Sequence, residues 1–288
     1  ILDNGSEAPG FPYQVGDKIQ TAPSILDVNG DKVIFAGTGF NAGQGHDHKF
    51  HAINSDGSPR FTIEANDDIL TSASFLSHNG NLYIFFGAYD GLIYAIDTNG
   101  NAFNGWPVQV NIPINKSVVF SDLDCDGEAE IIAANNTHIL AYNLDGTTHT
   151  GFPIRGELKI SSTPAIVDLD NDGDLEILVS ESNYLRGIDI KTVFSYTSYW
   201  NMYRGNLRRT GYSGTSSIGG DSTECSELLS NTKPYLPNEY RLNPLYPNPF
   251  NPVTTISYTI EKSGHIMIMA YDIRGRLIDK IISDFQTT

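Results

Sequence analysis

Two short acidic stretches carry the residues best suited to chemistry. Asp122–Glu130 (DLDCDGEAE) and Asp168–Glu176 (DLDNDGDLE) place carboxylates at the first, third, fifth and ninth positions around a glycine. Ca²⁺ takes six to eight oxygen ligands at about 2.3–2.6 Å, and alternate acidic residues bent around a glycine turn can supply them. The pattern therefore predicts two calcium loops.

Each predicted loop supplies four side chains and the seventh-position backbone carbonyl. The predicted calcium ligands are Asp122, Asp124, Asp126, Glu128 and Glu130 in the first loop, and Asp168, Asp170, Asp172, Asp174 and Glu176 in the second. The alternative is an acidic surface hairpin without an ion. Two copies in one register, with their first aspartates 46 residues apart, favour the calcium interpretation.

The 46-residue interval belongs to a repeat. Ala52-Ile-Asn, Ala95-Ile-Asp, Ala141-Tyr-Asn and Gly187-Ile-Asp follow one another at steps of 43, 46 and 46 residues. Asn/Asp-Gly pairs, which readily take the positive φ angles of tight turns, recur after the first three of them. Gly-aromatic-Pro also recurs, at Gly10, Gly105 and Gly151. A repeat of this length predicts stacked units with a shared core.

The apolar runs within each unit are short and rich in β-branched and aromatic residues, as in Leu82–Phe86 and Leu92–Ile96. Such runs predict strands, and no long segment shows helical spacing. A unit of about 40–50 residues with four short strands has the size of a β-propeller blade. We therefore predict an all-β fold, a β-propeller of about four visible repeats. Its units are a partial one at 1–12, then 13–60, 61–107, 108–153 and 154–213.

Units one and two lack the acidic pattern at the positions that correspond to the acidic loops of units three and four. Asp27–Asp31 (DVNGD) and Ser77–Gly80 (SHNG) carry too few carboxylates for the calcium pattern. We therefore predict metal in units three and four alone.

The composition shifts after the repeats. Residues 214–240 are rich in Ser, Gly, Thr, Asn and Pro, which predicts a flexible linker. Residues 241–288 begin with LNPLYPNPFNPVTTISY and contain Tyr271–Ile278 (YDIRGRLI), a hairpin pattern with Arg-Gly at its turn. About three strands follow the proline motif, whereas a β-sandwich needs about seven. We expect a truncated β-sandwich and, since the chain also opens in mid-repeat, a fragment of a longer polypeptide.

These motifs resemble two known families. The repeats resemble the FG-GAP or VCBS-type β-propeller repeats of secreted bacterial proteins, and Trp200–Gly211 resembles the segment that often closes the last such repeat. Residues 242–258 and 271–278 resemble the C-terminal sorting domain of the type IX secretion system, which shares its opening with FlgD-like immunoglobulin-type domains. The resemblance implies structural calcium, contact with the secretion machinery, and a secreted or cell-surface location.

Charge and apolar pattern exclude several classes of partner. Asp and Glu total 34 against 18 Lys and Arg, a net charge of −16, so we expect no nucleic-acid partner. The sequence contains no run of about twenty apolar residues, so we predict no membrane-spanning helix. Cys125 lies in the first acidic loop and Cys225 in the linker, and we expect two free thiols, with a disulfide between them as the alternative.

A histidine cluster is the best alternative site for chemistry. His46, Asp47, His48 and His51 lie in a hairpin loop that is seven residues longer than its counterpart in unit two. Imidazoles and a carboxylate can hold Zn²⁺. However, His51 aligns with Tyr94 and His48 with Gly91, so the cluster straddles a turn and we favour a solvated loop.

No nucleophile, phosphate-loop or dinucleotide motif occurs, so no catalytic residue is predicted. The leading expectation is a non-catalytic, calcium-stabilised scaffold with a protein or glycan ligand on the propeller face. Trp106 and Trp200 are candidates for sugar stacking. The alternative is a portion of a secreted hydrolase, such as a peptidase, or of a polysaccharide lyase, which the resemblance allows.

Overall fold

The structure is a computed structural model. It describes residues 6–39, 47–169, 174–190, 199–206, 209–213, 241–242, 256, 258–259, 264–271 and 277–286. Every regular element within these residues is a β-strand. The chain forms two compact units, Ile1–Leu229 and Ser230–Thr288. The predicted linker, 214–240, lies outside the described residues.

The first compact unit consists of consecutive antiparallel sheets. The strands are β1 (Ser24–Val28), β2 (Asp31–Gly37), β3 (Lys49–Asn54) and β4 (Pro59–Glu64) in unit one; β5 (Ser74–His78), β6 (Asn81–Gly87), β7 (Leu92–Asp97) and β8 (Val108–Gln109) in unit two; β9 (Val119–Ser121), β10 (Glu130–Ala134), β11 (His138–Tyr142) and β12 (Ile154–Arg155) in unit three; and β13 (Ala165–Val167), β14 (Leu175–Glu181) and β15 (Tyr184–Ile190) in unit four. Each sheet orders these strands in sequence, as successive propeller blades do. The all-β, propeller-type prediction is confirmed.

The register shows why the repeat is visible in the sequence. Ala52 pairs with Phe35, Ala95 with Phe85, Ala141 with Ile132, and Gly187 with Leu178, each time joining the third strand of a unit to its second. A small residue recurs at one structural position in every unit. Three of the large neighbours opposite it, Phe35, Phe85 and Ile132, are buried, and Leu178 is half-buried.

Polar side chains join neighbouring units at the start of their first strands. The Ser24 hydroxyl donates to the Ala73 carbonyl at 2.9 Å, and the Ser74 hydroxyl donates to the Val118 carbonyl at 2.5 Å. Aromatic pairs lie beside these bonds, with Phe35 and Phe75 ring centroids 5.6 Å apart. The small hydroxyl residues that open each unit therefore connect one sheet to the next.

Residues 199–213, here called the cross-unit segment, contact the first strand of every unit. The Phe120 amide donates to the Trp200 carbonyl and the Ile166 amide to the Asn201 carbonyl, both at 2.9 Å. The Trp200 ring meets Phe75 edge-on at 5.1 Å. Strand β16 (Tyr212–Ser213) then pairs in parallel with β1. The described part of this segment thus ties the four sheets together.

The second compact unit contains two pairs of strands in the part of it that is described. Strand β17 (Arg241–Leu242) pairs with β18 (Tyr258–Thr259), and β19 (Gly264–Tyr271) pairs with β20 (Leu277–Gln286), all antiparallel. The predicted Arg-Gly turn and most of the proline motif lie outside the described residues. Among the residues the structure does describe, no helix is long and apolar enough to cross a bilayer.

Candidate metal centre

The first acidic loop joins β9 to β10 and brings three carboxylates together. Oxygen atoms of Asp122, Asp124 and Glu130 all lie within 4.8 Å of one another. Asp122 is only 6% exposed and Glu130 only 2%, whereas Asp124 is exposed. Spacings of this size suit oxygen ligands of one cation with bonds of about 2.3–2.6 Å.

Backbone amides hold this loop in shape. Gly127 donates to Asp122 Oδ2 at 3.0 Å, and Leu123 donates to Glu130 Oε2 at 2.5 Å. Gly127 has a φ of 89° and Cys125 a φ of 63°, which is the left-handed region that favours glycine. The turn predicted from the sequence thus wraps the chain around the two buried carboxylates.

Burial and mutual repulsion act on the same carboxylates. Burial raises the pKa of Glu130 to about 8, and the charges of Asp124, Asp122 and Asp126 add to the increase. Burial also raises the pKa of Asp122, against the opposing hydrogen bond from Gly127. A half-buried set of like charges is costly by itself and favourable around a divalent cation. The donor set therefore fits Ca²⁺.

Two predicted ligands of this loop lie apart from the three that converge. Asp126 Oδ1 accepts the Glu128 amide at 2.8 Å, and Glu128 Oε2 lies 2.9 Å from His78 Nδ1 of unit two. Because the Glu128 side chain faces His78, only the Glu128 backbone carbonyl could bind an ion in the loop. That carbonyl is the ligand predicted at the seventh position. His78 is a neighbour that the sequence analysis missed, because the contact crosses between units.

The second acidic loop, between β13 and β14, repeats one feature and changes another. Leu169 donates to Glu176 Oε2 at 2.5 Å, as Leu123 does to Glu130. The three groups that converge here, however, are Asp174, Glu176 and Asp189. Asp168 is buried, while Asp170 and Asp172 lie outside the described residues.

Asp189 is a candidate ligand that the sequence analysis missed. It ends the third-strand motif of unit four and pairs directly with Glu176 in the β14–β15 register. The motif carries Asn or Asp in all four units, so only the register distinguishes this position. A search for acidic residues paired with the ninth loop position could have found it.

Tyr199 of the cross-unit segment lies beside the first acidic loop. Burial raises the pKa of its hydroxyl, and the charges of Asp122 and Glu130 raise it further. Together with Leu76, His78 and Glu128 it lines a groove between units two and three. The loop therefore lies beside two other chain segments, the first hairpin of unit two and the cross-unit segment.

Cys125 corrects an expectation. It is disulfide-bonded, so the prediction of a free thiol at this position is wrong. Cys225 lies outside the described residues. A covalent link within a loop limits the conformations of the chain there, in addition to any ion.

The histidine cluster of unit one is less exposed than predicted. His51 is 5% exposed within β3, and burial lowers its pKa, opposed by the nearby Asp47 carboxylate. His48 Nδ1 lies 3.1 Å from Asp68 Oδ1. Because these imidazoles face carboxylates inside the protein, the solvated-loop interpretation is wrong for His51. His46 lies outside the described residues.

The two tryptophans proposed for sugar stacking are buried. Trp106 is 6% exposed and donates through Nε1 to the Leu144 carbonyl at 2.9 Å, while Trp200 is 4% exposed. Both rings pack in the hydrophobic core of the propeller units. Neither ring is available to a glycan, because each is covered by the protein.

Comparison with known proteins agrees with the repeat. Residues 122–179 match the family model of the FG-GAP-like repeat, a span that contains both acidic loops. No curated protein matches the chain. The first compact unit is thus an all-β, propeller-type fold, part of which, in its third and fourth units, matches the FG-GAP-like repeat.

Several solved structures are similar to part of this chain. The computationally designed Ika4 protein is 12% identical, with 65% of this chain and 99% of that chain covered and a TM-score of 0.44. BamB from Moraxella catarrhalis is 21% identical, with coverage of 62% and 48% and a TM-score of 0.38. BBS1N, solved in complex with ARL6DN, is 13% identical, with coverage of 61% and 52% and a TM-score of 0.40. The chain thus spans about half the length of the last two.

Proposed function

We propose that this chain is a non-catalytic β-propeller scaffold whose third and fourth units each hold one structural Ca²⁺. The observation that carries the proposal is the convergence of Asp122, Asp124 and Glu130 within 4.8 Å, two of them buried. In this proposal the ion neutralises the carboxylates, and its binding free energy stabilises the fold.

The second site is proposed on the matching loop of unit four. Asp174, Glu176 and Asp189 converge there, and Glu176 accepts the same type of amide hydrogen bond as Glu130. Asp168 opens this loop as Asp122 opens the other, and both are buried. The shared geometry supports one common role for the two loops.

The proposed setting is extracellular. The tail that resembles a type IX sorting domain and the net charge of −16 support a secreted or cell-surface protein, exported through contact of residues 241–288 with the secretion machinery. Millimolar extracellular Ca²⁺ fills even weak sites. The propeller face is then free to present a protein or glycan ligand.

Thermal unfolding of the full chain with and without Ca²⁺ tests the metal proposal. At a free Ca²⁺ concentration 100-fold above Kd, each site adds about 2.7 kcal/mol to the free energy of unfolding. We expect Asp122→Asn to remove one site's share and Asp31→Asn, in the exposed hairpin of unit one, to remove none. An unfolding temperature that is the same in excess EGTA as in millimolar Ca²⁺ would disprove the calcium assignment.

A further inference from the structure

The geometry points to a third metal site, of another kind, where unit one meets unit two: a transition-metal ion such as Zn²⁺ bound by His48, Asp67 and Asp68. One ligand atom from each of these residues lies within 4.8 Å of the other two. The site joins the hairpin of unit one to the segment that leads into unit two. Its nitrogen ligand distinguishes it from the all-oxygen loops of units three and four.

The distances suit a small ion. Zn²⁺ binds imidazole nitrogen and carboxylate oxygen at about 2.0–2.2 Å, which places neighbouring ligand atoms about 3–4 Å apart. His48 Nδ1 lies 3.1 Å from Asp68 Oδ1. Asp68 is only 9% exposed, so its carboxylate lies largely inside the protein. A site with one imidazole and two carboxylates matches the ligand classes that Zn²⁺ prefers.

The neighbouring pair Asp47 and His51 provides a second, independent observation. His51 is 95% buried, and within the part of the chain that the structure describes no residue forms a hydrogen bond with its Nε2. That nitrogen lies 3.9 Å from Asp47 Oδ2, which is too far for a hydrogen bond and suitable for two ligands of one ion.

The other nitrogen of the same ring has a partner. His51 Nδ1 lies 3.3 Å from the Tyr13 hydroxyl. Metal-binding histidines usually have their second ring nitrogen hydrogen-bonded in this way, which fixes the ring and directs its free nitrogen. The interior of this hairpin therefore presents nitrogen donors beside carboxylates at two adjacent places.

The backbone also supplies room for the carboxylates. A Cβ on Gly39 would lie 2.6 Å from Asp68 Cβ, and a Cβ on Gly16 would lie 2.8 Å from Asp47 Oδ2. Glycine at both positions lets the carboxylates approach the main chain closely. The unit-two counterpart of the Asp47–His51 pair is Asp90 with Tyr94, where the hydroxyl donates to the carboxylate at 2.7 Å. The nitrogen donor is thus particular to unit one.

Zinc titration of the tag-free full chain, in millimolar Ca²⁺ to occupy the acidic loops, tests the inference. We expect one Zn²⁺ per chain by calorimetry and by elemental analysis of the purified complex. His48→Asn is the key variant, because His48 has a φ of 39° that Asn tolerates, and it should weaken binding at least about tenfold. Asp68→Asn should weaken binding to a similar extent.

Matched variants keep the result interpretable. His138→Asn, in a strand of unit three, should leave Zn²⁺ binding unchanged, and His51→Gln should weaken it less than His48→Asn does. The visible absorption of the Co²⁺ complex depends on the ligands and geometry around the ion, and it should change or be lost in His48→Asn. Absence of stoichiometric Zn²⁺, or a greater loss with His51→Gln than with His48→Asn, would overturn the assignment to His48, Asp67 and Asp68.

Discussion

The hairpins between the first and second strands of units one, two and three are of two kinds. In units one and two the turn is Asn29-Gly30 or Asn79-Gly80, with φ values of 57° and 91° or 49° and 74°. In unit three the same two strands are joined by eight residues, which begin with the buried Asp122 and lead to the buried Glu130 at the start of β10. Equivalent strands are therefore connected either by a tight turn with two positive φ angles or by a longer acidic loop.

This difference indicates what stabilises the hairpin of each unit. Two residues with positive φ match the twist of paired strands and need no further partner. The first acidic loop holds charges that are costly to bury without an ion, because burial raises the pKa of Glu130 and of Asp122. The hairpins of units one and two should therefore form without calcium, whereas we expect the acidic loops of units three and four to depend on it.

The largest expected effect comes from Glu130→Gln. In millimolar Ca²⁺ the variant should lose the contribution of one site, about 3 kcal/mol, because its amide cannot replace a charged ligand. In EGTA at pH 8 the same variant should be more stable than the unmodified chain, since it removes a buried charge. Chemical denaturation under both conditions measures the two values.

Glu64→Gln is the matched control for that experiment. Glu64 is exposed at the end of β4, where its carboxylate lies 3.8 Å from Lys49 Nζ. Its replacement should change stability by less than about 1 kcal/mol with or without Ca²⁺. If Glu130→Gln behaved like this control, the two kinds of hairpin would not differ as described.

A second prediction concerns pH in the absence of calcium. The folded-state pKa of Glu130, about 8, exceeds its ordinary value of 4.5, so the folded state binds more protons than the unfolded state between these values. Stability should therefore fall as pH rises from 5 to 8, by about 1.4 kcal/mol per unit of pKa shift at most. Calcium should reverse the trend, because its binding tightens as Glu130 ionises.

Unfolding curves at pH 5, 6, 7 and 8 check this, in EGTA and in millimolar Ca²⁺. Glu130→Gln serves as the internal reference, since it lacks the titrating group and should lose most of the pH dependence. A metal-free chain that gains stability across this range would show that Glu130 is ionised without an ion.

Replacing a turn glycine by alanine in each kind of hairpin provides a further comparison of their stability with and without Ca²⁺. Gly80→Ala should cost about 1 kcal/mol with or without Ca²⁺, because its φ of 74° is strained for alanine and its Cβ would meet nothing within 4 Å. Gly127→Ala should cost more in Ca²⁺ than in EGTA, since the metal-free loop can relax. Equal costs for Gly127→Ala in both buffers would contradict the idea that the ion fixes this turn.

The smallest effect is expected where the two kinds of hairpin touch. His78, next to the Asn79 turn, lies 2.9 Å from Glu128 of the acidic loop, and both side chains are partly exposed. Such ion pairs contribute about 0–1 kcal/mol, so His78→Ala should lower stability only slightly. A double-mutant cycle with Glu128→Ala measures the coupling energy.

The fold was predictable from the sequence because each unit places the same kinds of residue at the same positions of its paired strands. Asn-Gly pairs, small third-strand residues and acidic ninth positions each act within one unit, where spacing along the chain determines spacing in three dimensions. Contacts between units followed no such rule. The His78–Glu128 pair and the His48–Asp68 contact each join residues from two different units. The Glu176–Asp189 pair lies within unit four, but it follows from the register of two strands and not from the spacing of the loop motif. The burial of His51 was likewise missed, because the sequence alone does not show whether a histidine within a strand faces the core or the solvent.

The cross-unit segment also determines when the protein can finish folding. Arg204 Nη2 donates to the Pro23 carbonyl, 181 positions earlier in the chain, and β16 is the parallel neighbour of β1. A chain made from its N-terminus cannot form these contacts until residue 213 has been synthesised. Because contacts so distant in sequence slow folding, the four sheets should reach their final packing together and late, as one cooperative event.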